Sequence, residues 1–173
     1  MELELRKCTL SDLENLVWIS KKTFVDTFEK DNNPEDFKQY VEAAFNEKKI
    51  KEELLNPASH FYFVLEAEVL IGYLKLNEAK AQTDVQDENS IELERIYVLK
   101  NHQGKRAGRW MLEEAIELSK NQEGKHYLWL GVWEHNTKAI QFYERNGFRK
   151  FGKHSFFIGK DEQIDWLMRL DFK

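Results

Sequence analysis

Residues 92–109 read ELERIYVLKNHQGKRAGR, and this stretch decides the fold more than any other. Its first part belongs to Ile91–Val98, a segment with the β-branched and aromatic residues of a strand. Its last part opens the segment Ala107–Lys120, in which apolar residues recur at helical spacing. A polar loop separates the two segments. The stretch therefore predicts a strand, a loop and an amphipathic helix in direct succession.

The loop Gln103–Arg109 contains two glycines and the three cations Lys105, Arg106 and Arg109. Backbone N–H groups of such a loop can converge on one point, and the N-terminus of the following helix adds partial positive charge there. These properties suit a pyrophosphate group. On the residues alone, a basic surface loop before an ordinary helix is an equally good interpretation.

Strands and helices are predicted on both sides of this stretch. Upstream, the patterns indicate a strand at Leu3–Cys8, a helix beginning after the capping residue Thr9, a helical region from Pro34 past Asn46 to Leu55, and strands at Phe61–Leu65 and Val69–Leu76. Downstream, they indicate a strand at Tyr127–Val132, a helix at Thr137–Asn146 and strands beginning at Phe148 and Ile164. The order predicts an α/β protein with a mixed α+β sheet.

Composition limits the function classes. The 173 residues are 42% hydrophobic and 33% charged, which is typical of one globular domain spanning residues 1–173. The net charge of -5 disfavours nucleic-acid binding, and no apolar run is long enough to span a bilayer. The start shows no apolar signal segment, and the one cysteine suits a reducing compartment. We expect a cytoplasmic location, with neither nucleic acid nor membrane as partner.

A second segment, Asn136–Phe148, reads NTKAIQFYERNGF. Together with the loop it resembles the two signatures of GNAT N-acetyltransferases, Gln/Arg-x-x-Gly-x-Gly/Ala after a strand and then Asn-x-x-Ala-x-x-Phe-Tyr-x-x-x-Gly-Phe. The segments Glu92–Val98, Trp129–Glu134 and His154–Phe156 are similar to bacterial spermidine/spermine N-acetyltransferases of the PaiA type. The resemblance covers nearly the whole chain.

The resemblance implies the GNAT fold, a mostly antiparallel sheet with a splayed strand pair flanked by helices. It also implies an acetyl-CoA-dependent N-acetyltransferase in which the amine attacks the thioester directly, with no metal. The residues that it assigns to acetyl-CoA are Ile96, Tyr97 and Val98 along the pantetheine arm, Gln103, Gly104, Lys105, Arg106, Ala107, Gly108 and Arg109 around the pyrophosphate, and Asn136. Arg106 departs from the family, which usually has glycine at this position.

Catalytic roles carry over in the same way. The resemblance implies that Tyr143 faces the sulfur and protonates the leaving thiolate, and that Glu92, or else Glu94, accepts the proton of the amine. The residues alone leave other interpretations open. Tyr143 would serve equally as a core aromatic, the two glutamates as solvent-facing strand residues, and Asn136 as a helix cap.

Two acidic clusters suggest the acceptor. They are Asp84, Asp87, Glu88, Glu92 and Glu94, and Asp26, Glu29, Asp31, Glu35 and Asp36. With the resemblance they imply a polyamine, with His154 as a candidate for the acceptor pocket. Solvated loops are the plain alternative for the clusters. A protein N-terminal or lysine acetyltransferase and a non-catalytic acetyl-CoA-binding regulator stay open as functions.

The five histidines show no metal-binding spacing, so no metal site is expected. The aromatic residues near the C-terminus favour either a homodimer interface or the core; they are Phe151, Phe156, Phe157 and Trp166.

Overall fold

The computed structural model describes residues 2–173. Its strands and helices follow one another in the order β1 (Leu3–Lys7), α1 (Leu13–Phe28), α2 (Pro34–Ala44), α3 (Glu47–Leu55), β2 (Ser59–Glu66), β3 (Val69–Glu78), β4 (Ser90–Val98), α4 (Ala107–Lys120), β5 (Tyr127–Trp133), α5 (Thr137–Arg145), β6 (Arg149–Ile158) and β7 (Asp161–Asp171). The predicted order is confirmed except in the second helical region.

That region is two helices, so the prediction of one helix continuing past Asn46 is wrong. Helix α2 ends at Ala44, and the Asn46 side chain then accepts a hydrogen bond from the backbone N–H of Lys49 at 2.9 Å. This contact makes Asn46 the N-cap of α3. The Asn46 amide also donates to the Glu42 carbonyl at 3.0 Å, which satisfies the last turn of α2. One asparagine thus ends one helix and begins the next.

The sheet has seven strands in the order β1-β2-β3-β4-β5-β7-β6. All neighbouring strands are antiparallel except β4 and β5, which run parallel. A parallel pair requires a crossover connection, and here α4 supplies it. The sheet is therefore mixed and mostly antiparallel, as predicted.

The parallel pair separates along its length. Pairing joins Ser90–Glu92 to Tyr127–Trp129 and stops there, although β4 continues to Val98 and β5 to Trp133. The remaining backbone on the facing edges of the two strands therefore has no partner in the sheet. Such an opening in the middle of a sheet leaves donors and acceptors available to a ligand.

A β-bulge lies in β4 beside this opening. Lys75 of β3 pairs with Arg95, while the next residue, Leu76, pairs with Leu93, so Glu94 is the extra residue. Because an extra residue reverses the alternation of side chains, Tyr97 comes to lie on the same face of the sheet as Glu92. A regular strand would have placed Glu92, Glu94 and Ile96 on one face.

Each face of the sheet carries its own core. Helices α4 and α5 cover one face and pack against apolar side chains of β3, β4 and β5. The residues of this core include Met111, Leu112 and Ile140 of the helices and Leu74, Leu93, Leu128 and Leu130 of the strands. Helices α1 to α3 cover the other face near β2 and β3, through Leu16, Ile19, Phe37 and Ile50 packed on Phe61, Phe63 and Tyr73. The opening between β4 and β5 thus lies between two rigid layers.

The C-terminal aromatic residues differ in exposure. Phe151 packs against the small cluster of Tyr127, Trp129 and Leu167, and Trp166 packs against the main core. Phe156 lines the cleft described below, and Phe157 is 59% exposed. A homodimer therefore stays a prediction. None of the helices described in residues 2–173 combines the length and apolar character needed to cross a bilayer, and the cytoplasmic location stays a prediction.

Candidate active site

A cleft of about 590 Å³ occupies the opening between β4 and β5. Residues from both separated strands line it, together with parts of α1, α2, α5, β6, β7 and the loop before α4. The fold therefore brings three predicted groups to one place: the end of β4, the glycine-containing loop and the Asn136–Tyr143 segment.

The end of β4 forms one side of the cleft. Ile96, Tyr97 and Val98 all line it, and their strand has no partner on this edge. The Gln103 side chain donates to the Val98 carbonyl at 3.0 Å, which ties the loop to the strand. Burial raises the pKa of Tyr97 well above its usual value, so its phenol is neutral. This edge can pair with an extended, amide-bearing chain such as pantetheine.

The backbone of the loop turns through two residues with positive φ, Gly104 at +79° and Arg106 at +65°. Arg106 adopts the left-handed conformation that glycine adopts without cost, because the turn into α4 requires it. Gln103, Gly104 and Gly108 line the cleft, and no atom lies within 4 Å of where a Gly108 side chain would begin.

The cationic side chains of the loop do not line this cleft. Lys105 and Arg106 are exposed, and Arg109 donates to Glu113 at 2.9 Å. Arg106 and Arg109 border a shallow neighbouring depression instead, while Ala107 is buried beneath the helix start. The groups available to a pyrophosphate in the cleft are therefore the backbone of the loop and the first turn of α4.

Helix α5 supplies Asn136 and Tyr143. The Asn136 side chain accepts from the Ala139 N–H at 3.3 Å, so the capping interpretation is confirmed, and the residue also lines the cleft. The Tyr143 ring packs against Phe142 and Phe148 at centroid distances of 5.3 and 5.7 Å. Its side chain is 9% exposed and borders the cleft. Tyr143 is thus a core aromatic that also faces the ligand space.

Glu92 lines the cleft, but it is only 2% exposed and both oxygens of its carboxylate accept hydrogen bonds. Its carboxylate accepts from the Asn77 amide at 3.0 Å, from the Thr83 N–H at 2.8 Å and from the Thr83 hydroxyl. Burial and the neighbouring Glu94 charge raise the pKa of Glu92, and these hydrogen bonds oppose the rise. Neither strand glutamate is solvent-facing.

Glu94, the extra residue of the bulge, belongs to an ion-pair network. Lys75 lies 2.5 Å from it, and both Lys75 and Arg95 contact Glu53 of α3 at 3.1 Å. Burial alone would raise the pKa of Glu94, but the cations Arg95 and Lys75 hold it below the usual value. Glu94 is therefore a charge-balanced carboxylate that joins β4 to α3.

Sequence reasoning missed Asp165 of β7, which also lines the cleft. Burial raises the pKa of this carboxyl to about 6, and His154 opposes the rise. Local periodicity does not reveal this position, because the burial of Gln163 and Leu167, which lie two residues away on the same face of β7, is visible only in the structure. An acid at an inward-facing strand position is uncommon without a partner or a function.

Aromatic rings also line the cleft. Phe28 of α1 and Trp133 of β5 meet edge to face at 6.4 Å, and Tyr40 of α2 and Phe156 of β6 line the cleft as well. His154, a candidate for the acceptor pocket, lines the cleft, and its Nδ1 lies 2.6 Å from Asp84. The second acidic cluster, around the junction of α1 and α2, contributes no side chain to the wall. Across residues 2–173, no group of His, Cys, Asp or Glu could hold a metal ion.

Comparisons with known proteins agree with this geometry. The chain is 42% identical over 158 residues to an uncharacterized N-acetyltransferase of Lactobacillus delbrueckii subsp. lactis, covering 91% of each chain. It is 25% identical to a spermidine N(1)-acetyltransferase of Thermoplasma acidophilum, covering 86% of this chain and 89% of that one. The fold matches a PaiA N-acetyltransferase of Thermoplasma acidophilum in complex with coenzyme A with a TM-score of 0.80 and 23% identity, over 99% of this chain and 100% of that one.

The model of the acetyltransferase (GNAT) family matches residues 15–148, which include β4, the loop, Asn136 and Tyr143. The cleft, the open edge of β4 and the loop at the start of α4 fit acetyl-CoA. The chain belongs to the GNAT family of acetyl-CoA-dependent N-acetyltransferases.

Proposed function

We propose that the acceptor is a polyamine such as spermidine or spermine. The observation that carries the proposal is the combination of carboxylates and aromatic rings that line the cleft. The carboxylates are Asp84, Glu92, Glu94 and Asp165, and the rings include Phe28, Tyr40, Trp133 and Phe156. Carboxylates attract ammonium groups, and aromatic faces contact both cations and methylene chains. An alkyl chain with several ammonium groups matches such a wall.

The charge balance of the wall supports a cationic ligand. Glu94 is paired with the cation Lys75, and Asp84 is in contact with the His154 imidazole. Glu92 and Asp165 have no cation within ion-pair distance among the described residues, so the wall carries negative charge that an incoming ammonium can neutralise. The relative from Thermoplasma acidophilum that is named a spermidine N(1)-acetyltransferase is consistent with this acceptor.

The reaction that follows is direct transfer. The acceptor amine must lose a proton, because an alkylammonium with a reference pKa near ~10.4 is not a nucleophile. The amine then attacks the thioester carbonyl, and Tyr143 protonates the departing sulfur. Ile96, Tyr97 and Val98 hold the pantetheine arm along the edge of β4. The loop from Gln103 to Arg109, with Asn136, holds the rest of acetyl-CoA.

The acceptor can be tested by steady-state kinetics with acetyl-CoA and thiol detection. We expect turnover of spermidine and spermine, with butylamine as a matched control that has the same reacting group and one positive charge. Loss of the second ion pair in a partly desolvated cleft is expected to lower kcat/KM by at least tenfold, equivalent to roughly 1.4 kcal/mol.

Equal kcat/KM for butylamine and spermidine would contradict a polyamine site. Preferential acetylation of a peptide N-terminus or of a peptide lysine would favour the protein-acetylating alternative. Tight binding of acetyl-CoA in calorimetry, with no amine turned over, would favour a non-catalytic regulator.

A further inference from the structure

The four carboxylates on the cleft wall differ in their capacity to take a proton. Glu92 already accepts from Asn77 and twice from Thr83. Glu94 lies against Lys75, and Asp84 lies against His154. A carboxylate held by donors or cations gains little by binding a further proton, because protonation would break those contacts.

Asp165 is the exception. Across residues 2–173, no hydrogen bond or ion pair within 4 Å engages its carboxylate. Its strand neighbours are Trp133 of β5 and His154 of β6, which stand directly opposite it in the sheet. The position thus places an unengaged acid on the inner wall, between two residues that line the cleft.

Gly131 of β5 makes room for this carboxylate. A side chain beginning at Gly131 would lie 3.3 Å from Asp165 Oδ2 and 3.8 Å from Asp165 Cβ, which is tight contact. The absence of that side chain leaves room for Asp165 Oδ2 beside Gly131, in the separated part of β5. That part of β5 forms the cleft wall opposite the Ile96–Val98 edge.

The electrostatic surroundings link Asp165 to the reacting centre. Burial raises the pKa of Tyr97, and the Asp165 carboxylate adds to the rise while Arg95 opposes it. Asp165 thus acts on the ring of a residue at the Ile96–Val98 edge, and Tyr143 lines the same cleft. Burial raises the pKa of Tyr40, Arg95 opposes the rise, and Asp165 adds to it. The titratable or charged groups on the wall are Tyr40 of α2, Asp84, Glu92, Glu94, Arg95 and Tyr97 on or before β4, Tyr143 of α5, His154 of β6 and Asp165 itself.

We propose that Asp165 binds the reacting ammonium of the acceptor and accepts its proton. This inference rests on the proposed function, and it gives Asp165 the role that the resemblance implied for Glu92 or Glu94. Glu92 then has a positioning role, because its hydrogen bonds to Asn77 and Thr83 hold the start of β4 against the loop that precedes it.

The protons balance as follows. The acceptor ammonium passes one proton to Asp165, and the free amine forms a C–N bond with the thioester carbonyl carbon. The C–S bond breaks as the sulfur takes a proton from the Tyr143 hydroxyl. The nitrogen passes its second proton through water to the Tyr143 phenolate. Asp165 returns the first proton to solvent, so one proton is released in each turnover.

The rate should depend on pH in a predictable direction. A proton acceptor works while it is deprotonated, so kcat/KM should rise with pH through the Asp165 pKa of about 6. Asp165→Asn removes the acceptor, and the remaining rate should then follow the small fraction of free amine and increase up to the pKa of the amine. The rise in kcat/KM is the limb near pH 6 of the pH–rate profile. His154→Gln tests whether this limb depends on the imidazole instead.

The experiment compares Asp165→Asn with Asp171→Asn, the same change on the same strand at an exposed position paired with Arg149. Asp165→Asn is expected to lower kcat/KM for spermidine by about 10²–10⁴, and to remove the limb near pH 6, with CoA affinity unchanged in calorimetry. Asp171→Asn should keep wild-type kinetics. Glu92→Gln should keep the limb near pH 6.

Two results would contradict the inference. Near wild-type kcat/KM in Asp165→Asn, with the limb near pH 6 lost in Glu92→Gln or His154→Gln, would assign the proton to another group. It would leave the polyamine function intact. A wild-type enzyme that turns over no primary amine would overturn the proposed function and this inference together.

Discussion

At the residue scale, Tyr143 is both a packed core aromatic and a residue of the cleft wall. Its ring is fixed between Phe142 and Phe148, and its edge borders the cleft. Burial raises its pKa, so the phenol is protonated at every pH at which the enzyme would be assayed. A neutral phenol held in a rigid core is a suitable proton donor for a leaving thiolate, because little reorganisation accompanies the transfer.

Tyr143→Phe should therefore lower kcat by about 10²–10⁴, because it removes the proton donor and keeps the packed ring. The free energy of unfolding should change by about 1 kcal/mol at most, and CoA affinity should stay near that of the wild type. Tyr62→Phe, on β2 away from the cleft, is the matched control and should keep wild-type kcat. Wild-type kcat in Tyr143→Phe would mean that water protonates the sulfur.

At the element scale, the start of α4 depends on backbone conformation more than on side-chain charge. Arg106 holds φ at +65°, and its side chain borders the neighbouring depression, not the cleft. For a residue with a Cβ, this conformation costs roughly 1–2 kcal/mol. The turn leads into α4 at the point where Gln103, Gly104 and Gly108 line the cleft.

Arg106→Gly should relieve that strain. Glycine loses more chain entropy on folding, about 0.4–1 kcal/mol, so the net gain in unfolding free energy should be about 0.5–1 kcal/mol. CoA should bind equally or more tightly, as measured by calorimetry. Arg106→Ala is the control, because it removes the charge and keeps the strain. Weaker binding in both variants would show that the guanidinium contacts the cofactor.

At the scale of the whole molecule, the features that were predictable from sequence are those controlled by near neighbours along the chain. Asn136 caps α5, and Gly147 adopts a φ of +90° at its end, as the local pattern indicates. The bulge at Glu94 and the place of Asp165 in the cleft depend on pairing between strands far apart in the chain. The local pattern of apolar residues does not indicate which distant strands pair. The motif resemblance predicts the cofactor-binding residues, several of which line one cleft, but it does not reveal which carboxylates already accept hydrogen bonds or pair with cations.

Asp165 should also destabilise the fold at neutral pH. Its pKa rises from 3.8 in its usual range to about 6 because burial disfavours the charged form. The folded state therefore favours the protonated acid. The contribution of the protonated Asp165 side chain to the free energy of unfolding is fully present below about pH 4, and it is lost as the pH rises through about 6. Asp165→Asn, which stays neutral, should be more stable than the wild type at pH 7.5, by up to about 3 kcal/mol.

Asp171 of the same strand should behave in the opposite way. Hydrogen bonds from Arg169, and then from Arg149, lower the pKa of Asp171. The charged form of Asp171 therefore stabilises the fold at a pH above the pKa of the unfolded state, and this contribution is lost as the pH falls. Urea unfolding at pH 4 and pH 7.5 should show Asp165→Asn gaining stability only at pH 7.5, and Asp171→Asn losing stability there. If Asp165→Asn were less stable than the wild type at pH 7.5, the Asp165 carboxylate would have a partner that stabilises its charge. Asp165 would then be no freer to accept a proton than Glu92 or Glu94, and the mechanism would need another base.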